Sequence, residues 1–165
     1  MIIILDDVLS KDELDKLNEG IIKKISNNNL FNRYLRKWND IKFCHPLLKI
    51  MSKYFPLKWH YRYELWTHKA GQIIPNWHVD RDENLYANTG IVDTTLFGLI
   101  YYPLIDPSLK GGELLFKDGT TIMPRSNRMV LFSTGTILHK VAEYYDGQRL
   151  AFIVNVWDKK FLGEV

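Results

Sequence analysis

From Leu57 onward apolar and polar side chains alternate. Leu57, Trp59, Tyr61, Tyr63 and Leu65 share one parity, and His60, Arg62, Glu64, Trp66 and His68 share the other. Successive side chains leave opposite faces of a pleated backbone, so the spacing predicts a strand with one apolar and one mostly polar face. Upstream the period differs. Leu14, Leu17, Ile21, Ile22 and Ile25 recur at helical spacing. Ser10 with Glu13 three residues on forms a capping box. A helix is therefore expected to about Ser26, after a short buried strand from Ile2 to Leu5 and before the breaker Asn27-Asn28-Asn29. Leu30 to Phe43 reads as irregular or weakly helical. Pro46 suits the first turn of a second helix carrying Leu47, Leu48, Met51 and Phe55.

Beyond Leu65 short strands are expected at about 77–80, 95–104, 112–116, 120–123, 129–133, 137–142 and 149–157. Ala70-Gly71, Asp106-Pro107, Lys110-Gly111-Gly112, Asp118-Gly119, Gly135 and Asp146-Gly147 supply the turns between them. Many short strands broken this way argue a mainly β sandwich or barrel. The two leading helices are expected on one outer face, against Trp59, Tyr61 and Tyr63. With no repeat, low-complexity tract or linker, residues 1–165 read as one domain: a helical lead-in of about 1–56 and a β core of about 57–165.

Composition narrows the class. Of 165 residues, 46% are hydrophobic and 25% charged, an ordinary globular balance. No apolar run approaches the roughly 20 residues that span a bilayer, so no membrane partner is expected. The opening Met-Ile-Ile-Ile-Leu is ended by Asp6 and Asp7 and does not read as a signal peptide. Cys44 is the sole cysteine. It excludes an internal disulfide, fits a reducing, cytoplasmic compartment, and reads as a small buried hydrophobe. The net charge of +3, without a Lys/Arg cluster, gives no positive argument for nucleic acid.

Candidate chemistry lies in His78-Val79-Asp80, in His139, which follows the turn Ser133-Thr134-Gly135-Thr136, and in Arg149. Residues two apart in a strand face the same way, so His78 and Asp80 can reach one ion. Two imidazoles and a carboxylate cap one face of an octahedral Fe(II) and leave positions open for a co-substrate and dioxygen. An Arg nearby can hold an anionic co-substrate by a two-pronged contact. If the strand of Arg149 returns beside that of His139 as a hairpin, all four meet. Taken singly, His78 is an ordinary histidine and Arg149 a solvated charge; the ordered combination points to a non-heme iron oxygenase using 2-oxoglutarate. Two alternatives keep the barrel: a non-catalytic module binding zinc or nickel, and a cupin-type metal enzyme. Arg149 argues against the first, which needs no anion clamp. The carboxylate and histidine count differs from the second.

The chain carries a longer pattern: His78-Val79-Asp80, Ile100-Tyr101-Tyr102-Pro103-Leu104, Gly111-Gly112-Glu113-Leu114-Leu115-Phe116, then His139 and Arg149 ten positions apart. From about Leu65 to Trp157 it resembles the 2-oxoglutarate/Fe(II) dioxygenase superfamily, in particular the prolyl 4-hydroxylase-like group. The resemblance implies a double-stranded β-helix, a jelly-roll or cupin-like barrel with iron at its open end. It implies His78, Asp80 and His139 as ligands of Fe(II), and Arg149 with Tyr102 on the far carboxylate of 2-oxoglutarate. Ascorbate would serve as reductant. His68 stands where the group usually has a tyrosine, and becomes a co-substrate or wall residue. Tyr102-Pro103-Leu104 replaces Tyr-Leu-Asn in what is expected to be a loop away from the metal. The retained Asp80 argues for hydroxylation over halogenation. Expected substrates are a peptide or protein residue such as proline, or a small molecule, ahead of nucleic acid. Arg62, Glu64, Trp66 and Asn155 are pocket candidates by strand parity, and Trp157 a cap. The polar stretch 81–94 is a candidate lid. His45 and His60 lack ligand context.

Overall fold

The computed structural model describes residues 1–26, 35–68 and 76–158. In chain order the elements are β1 (Ile2–Leu5), α1 (Lys11–Ser26), β2 (Leu35–Arg36), a 3-10 segment (Trp38–Cys44), α2 (His45–Met51), β3 (Arg62–His68) and α3 (Glu83–Thr89). There follow β4 (Phe97–Ile105), β5 (Lys110–Gly111), β6 (Leu114–Phe116), β7 (Thr121–Ile122), β8 (Arg128–Phe132), β9 (His139–Val141), β10 (Tyr144–Tyr145) and β11 (Arg149–Trp157). The fold is mainly β. α1 starts at its capping box: the Ser10 amide donates to Glu13 Oε2 (3.0 Å) and the Glu13 amide to Ser10 Oγ (3.4 Å). No helix among the described residues is long and apolar enough to cross a membrane.

Six strands form one antiparallel sheet in the order β1-β8-β4-β11-β3-β2; β7-β6-β9 and β10-β5 form two smaller sheets. Strand parity divides the large sheet between two cores. Tyr63, Leu65, Leu99, Tyr101, Met129, Leu131, Phe152 and Val154 face the helices and pack with Leu17, Ile21, Leu47, Leu48 and Met51. Their neighbours Ile100, Tyr102, Val130, Phe132, Ala151 and Ile153 face the other way, onto Leu114, Phe116 and Ile122 of the smaller sheet. Both faces of β4 and β11 are covered, so these strands read as near-continuous apolar runs. Cys44 is buried, its thiol donating to the Ile41 carbonyl.

Several expectations are corrected. The strand expected from Leu57 begins at Arg62. Trp59 lies in the preceding turn, where the Tyr61 amide reaches the Lys58 carbonyl, and is 92% exposed. Tyr61 and Tyr63 do pack toward the helices. Phe55 lies beyond α2 but stacks on Phe97 at 4.5 Å. Pro103 lies inside β4 rather than in a loop. Between Leu150 and Phe152 of β11 the partners on β4 run from Leu104 to Tyr101, one residue too many. Proline cannot donate to the ladder, and a bulge absorbs it. The extra residue inverts the parity: Leu104 is exposed while Ile105 joins the inner core. β9 and β11 are not a hairpin. β9 pairs with β6, β11 pairs with β3 and β4, and β10, which pairs with β5, lies between them in sequence.

Candidate metal centre

Position 77–80 forms no long strand. His78 makes a single antiparallel bridge to His139, closed by both backbone bonds: His78 amide to His139 carbonyl at 3.1 Å, and the reverse at 3.0 Å. Two residues on, the Asp80 amide donates to the Thr134 carbonyl (2.8 Å) and the Thr95 amide to the Asp80 carbonyl (3.1 Å). The Thr95 and Thr134 hydroxyls share a 2.6 Å bond beneath. The chain thus presses His78, Asp80 and His139 together through main-chain bonds before any side chain takes part.

The side chains converge. His78 Nε2 lies 3.6 Å and His139 Nε2 3.9 Å from Asp80 Oδ1. One ligating atom from each residue falls within 4.8 Å of the others. Donors about 2.0–2.2 Å from one ion at right angles would stand roughly 3 Å apart, so small side-chain shifts close the set on a metal. Each imidazole donates its Nδ1–H to a carbonyl two residues back, His78 to Asn76 (2.8 Å) and His139 to Ile137 (2.9 Å). That leaves both Nε2 lone pairs for a cation. His139 is buried, with the Phe132 ring edge-on at 4.9 Å. Burial holds its pKa below the usual histidine value, partly opposed by the Asp80 charge. The neutral form is the ligating form. A neutral imidazole pair with one carboxylate is a donor set that Fe(II) accepts.

Arg149 opens β11 and is 2% exposed. Its Nε donates to the Gly112 carbonyl (3.1 Å) and its Nη2 to Tyr102 Oη (3.4 Å). The guanidinium also lies 5.1 Å and 5.8 Å from the Tyr102 and Tyr144 ring centroids. Tyr102 is fully buried, which raises its pKa and keeps the hydroxyl protonated, a donor for an anion. The contact between Tyr102 and Arg149 depends on the large sheet, because their strands are neighbours in it.

The remaining candidates are distributed as follows. Asn155 is fully buried and donates from Nδ2 to Asp80 Oδ2 (2.9 Å). Glu64 is buried and accepts from Trp157 Nε1 (3.1 Å), so the expected cap is bonded to the inner face. Arg62 turns to the His60 and Tyr61 carbonyls. Trp66 packs at the margin of the inner core. The backbone of His68 pairs with Ala151; its side chain lies outside the described residues. His60 bonds Asp158 at the surface. The stretch 81–94 is not an irregular loop. Asp82 caps α3 through the Leu85 amide (2.9 Å), Gly90 ends it at φ +72°, and an Arg81–Thr94 bridge closes its base. Asp82 at the N-cap and Gly90 just past the seven-residue helix are legible start and stop signals that polarity alone conceals. Thr95, Thr134 and Tyr144 escaped the sequence reading, since no motif marks them.

No protein-family model and no curated protein matches this sequence. Solved structures do match its fold. A viral collagen prolyl hydroxylase from Paramecium Bursaria Chlorella virus-1, solved as a 2OG complex, superposes with a TM-score of 0.65 at 20% identity, over 96% of each chain. A Pseudomonas putida prolyl-4-hydroxylase gives a TM-score of 0.65 at 15% identity, over 96% of this chain and 92% of that one. A Trichoplax adhaerens prolyl hydroxylase, in complex with a hypoxia inducible factor peptide fragment, gives 0.60 at 14% identity, over 95% and 83%.

Proposed function

We propose that this chain, which shares the fold of the prolyl 4-hydroxylase-like oxygenases, is a 2-oxoglutarate- and O2-dependent Fe(II) dioxygenase that hydroxylates its substrate. The observation that carries the reading is the meeting of His78 Nε2, His139 Nε2 and Asp80 Oδ1 within 4.8 Å, in a chain that also buries Arg149 against Tyr102. The reading takes the six-stranded sheet and the smaller β7-β6-β9 sheet as the two walls of a double-stranded β-helix, with residues 1–165 as one catalytic domain. The inner core shared by the two sheets supports it.

In this reading His78, Asp80 and His139 hold Fe(II). With 2-oxoglutarate, the bound ion supplies oxygen activation: the co-substrate leaves as succinate and carbon dioxide, and the substrate gains a hydroxyl. The protein's own part is binding and orientation. Arg149 keeps its charge at any working pH and takes the far carboxylate of 2-oxoglutarate. Tyr102 donates its hydroxyl to the same anion. In a buried site such a contact is far stronger than at the surface. Asp80 supplies the only negative charge of the triad, which favours a dication over water at that point. The inner core of Phe116, Phe132 and Ile153 keeps bulk water from one side. Ascorbate would maintain the reduced metal.

A peptidyl proline is the first substrate to test, and a small molecule the second. Collagen and a hypoxia inducible factor peptide appear with the prolyl hydroxylases that share this fold. Trp66 stands at the margin of the inner core and would offer the substrate a flat wall. The deciding experiment is anaerobic addition of Fe(II) and 2-oxoglutarate, followed by oxygen and proline-containing peptides. A weak visible charge-transfer band, then oxygen-dependent succinate release stimulated by a peptide, is the expected result. Metal binding with no band and no succinate would instead leave a metal-binding module.

A further inference from the structure

The inner face of β11 carries a polar side chain where parity alone would place an apolar one. Asn155 follows Ala151 and Ile153 on that face and is fully buried, paired with Gly98 of β4 on one side and Glu64 of β3 on the other. Its Nδ2 reaches Asp80 Oδ2 (2.9 Å), whereas Asp80 Oδ1 is the oxygen that faces both imidazoles, at 3.6 Å and 3.9 Å. The two oxygens of one carboxylate therefore have different partners. Main-chain bonds to Thr134 and Thr95 already hold the backbone of Asp80. What stays free is rotation about its short side chain, and the amide removes that freedom.

The other end of the amide shows how the position is made. Among the described residues, Asn155 Oδ1 is buried without a hydrogen-bond partner. It lies against Gly98, where an added Cβ would stand 2.4 Å from it. The Cα–H of Gly98 is at most a weak donor. A buried amide oxygen so poorly served carries a desolvation cost that Leu or Val would avoid. Turning the amide over would set that oxygen against the Asp80 carboxylate, so the observed orientation is the one the carboxylate dictates.

We propose that Asn155 is a positioning residue of the metal centre, holding Asp80 so that Oδ1 alone turns to the ion, with Gly98 providing the room. The consequence is open coordination. A carboxylate ligating through both oxygens would occupy a position that a two-histidine, one-carboxylate site keeps for its co-substrates. The proposal rests on the metal-centre reading above, but its test needs no turnover. Groups that orient ligands in this way typically contribute about 10–100-fold to metal affinity.

The test uses Ni(II), which two imidazoles still bind when the carboxylate is lost. Calorimetric titration would compare the unaltered protein, Asn155→Leu, Asn155→Ser, Asp80→Ala and Asp80→Ala/Asn155→Leu, with metal-free melting curves establishing that each is folded. Either substitution at Asn155 is expected to weaken Ni(II) by about 10–100-fold. In the Asp80→Ala background, Asn155→Leu should cause no further loss. Wild-type affinity in a folded Asn155 variant overturns the proposal. So does an equal loss in the Asp80→Ala background, which would mark Asn155 as merely structural. If the unaltered protein binds no Ni(II), the metal-centre reading falls, and this role with it.

Discussion

Gly112 holds its backbone at φ +77°, and a Cβ there would stand 3.0 Å from Arg149 Cδ. Two penalties follow for an alanine: the left-handed backbone, which costs an L-residue about 1–2 kcal/mol, and pressure on a buried guanidinium. Gly112→Ala is therefore expected to lower stability by about 2 kcal/mol and to raise the 2-oxoglutarate concentration needed for half-maximal band intensity, while leaving metal affinity near its original value. Arg149→Ala removes the proposed clamp itself. Losing one partner of a buried charge pair costs about 2–5 kcal/mol, so 2-oxoglutarate binding should fall by about thirtyfold or more. Titration of the two variants with 2-oxoglutarate checks both. Unchanged co-substrate affinity in Arg149→Ala would move the clamp elsewhere.

At the scale of elements, the lead-in is tied to the β core at its sheet edge. Asn127, at φ +59°, precedes β8 and bonds the backbone of Leu9 twice, through Oδ1 (3.1 Å) and Nδ2 (2.8 Å). Its Oδ1 also takes the hydroxyl of buried Tyr101 (2.9 Å). Asn127→Ala strands a buried phenol and two backbone groups, and each unsatisfied group costs about 1–3 kcal/mol. A drop of about 2 kcal/mol or more in urea unfolding is expected. Asn127→Gly, which suits the backbone but loses the same bonds, should recover only part of it. Beside this joint, Arg128 bonds Asp6 through Nε (2.6 Å) and Nη2 (2.9 Å). The hydrogen bond from Arg128, chiefly, holds the Asp6 carboxyl below its ordinary 3.8. A carboxyl lowered on folding contributes fully above that ordinary value and loses its contribution as pH falls through the folded one. The pair is substantially solvated, so Asp6→Asn should cost only about 0.2–1 kcal/mol at neutral pH. The difference between variant and parent should shrink below about pH 4, as melting curves across pH would record.

For the molecule as a whole, metal and fold are linked. His139 is remote in sequence from His78 and Asp80, and the three meet only in the native state, so an ion bound there stabilises that state by mass action. At a hundred times its Kd a metal adds about 2.7 kcal/mol. Addition of Mn(II) is expected to raise the melting temperature, and a chelator to reverse the shift. Asp80→Ala should show little of it. Falling pH should also weaken metal binding, because both imidazoles must be neutral to ligate. A melting temperature indifferent to divalent ions would count against the centre.

Local chemistry along the chain determined a good deal of this: the capping box that starts α1, the apolar runs that become β4 and β11, Cys44 as a buried thiol, and the residue types at 78, 80, 139 and 149. Those signals are carried by neighbours a few positions apart, where sequence spacing and spatial spacing coincide. Tertiary structure decided what spacing cannot encode. It put His139 beside His78 by a bridge and Arg149 in a different sheet, where the hairpin reading had placed both in one. It turned Asn155 from a pocket candidate into the partner of Asp80. At these positions the deciding contact joins residues remote in sequence: main-chain bonds available to any residue type between His78 and His139, strand pairing between β11 and β4, and a side-chain amide on a carboxylate between Asn155 and Asp80.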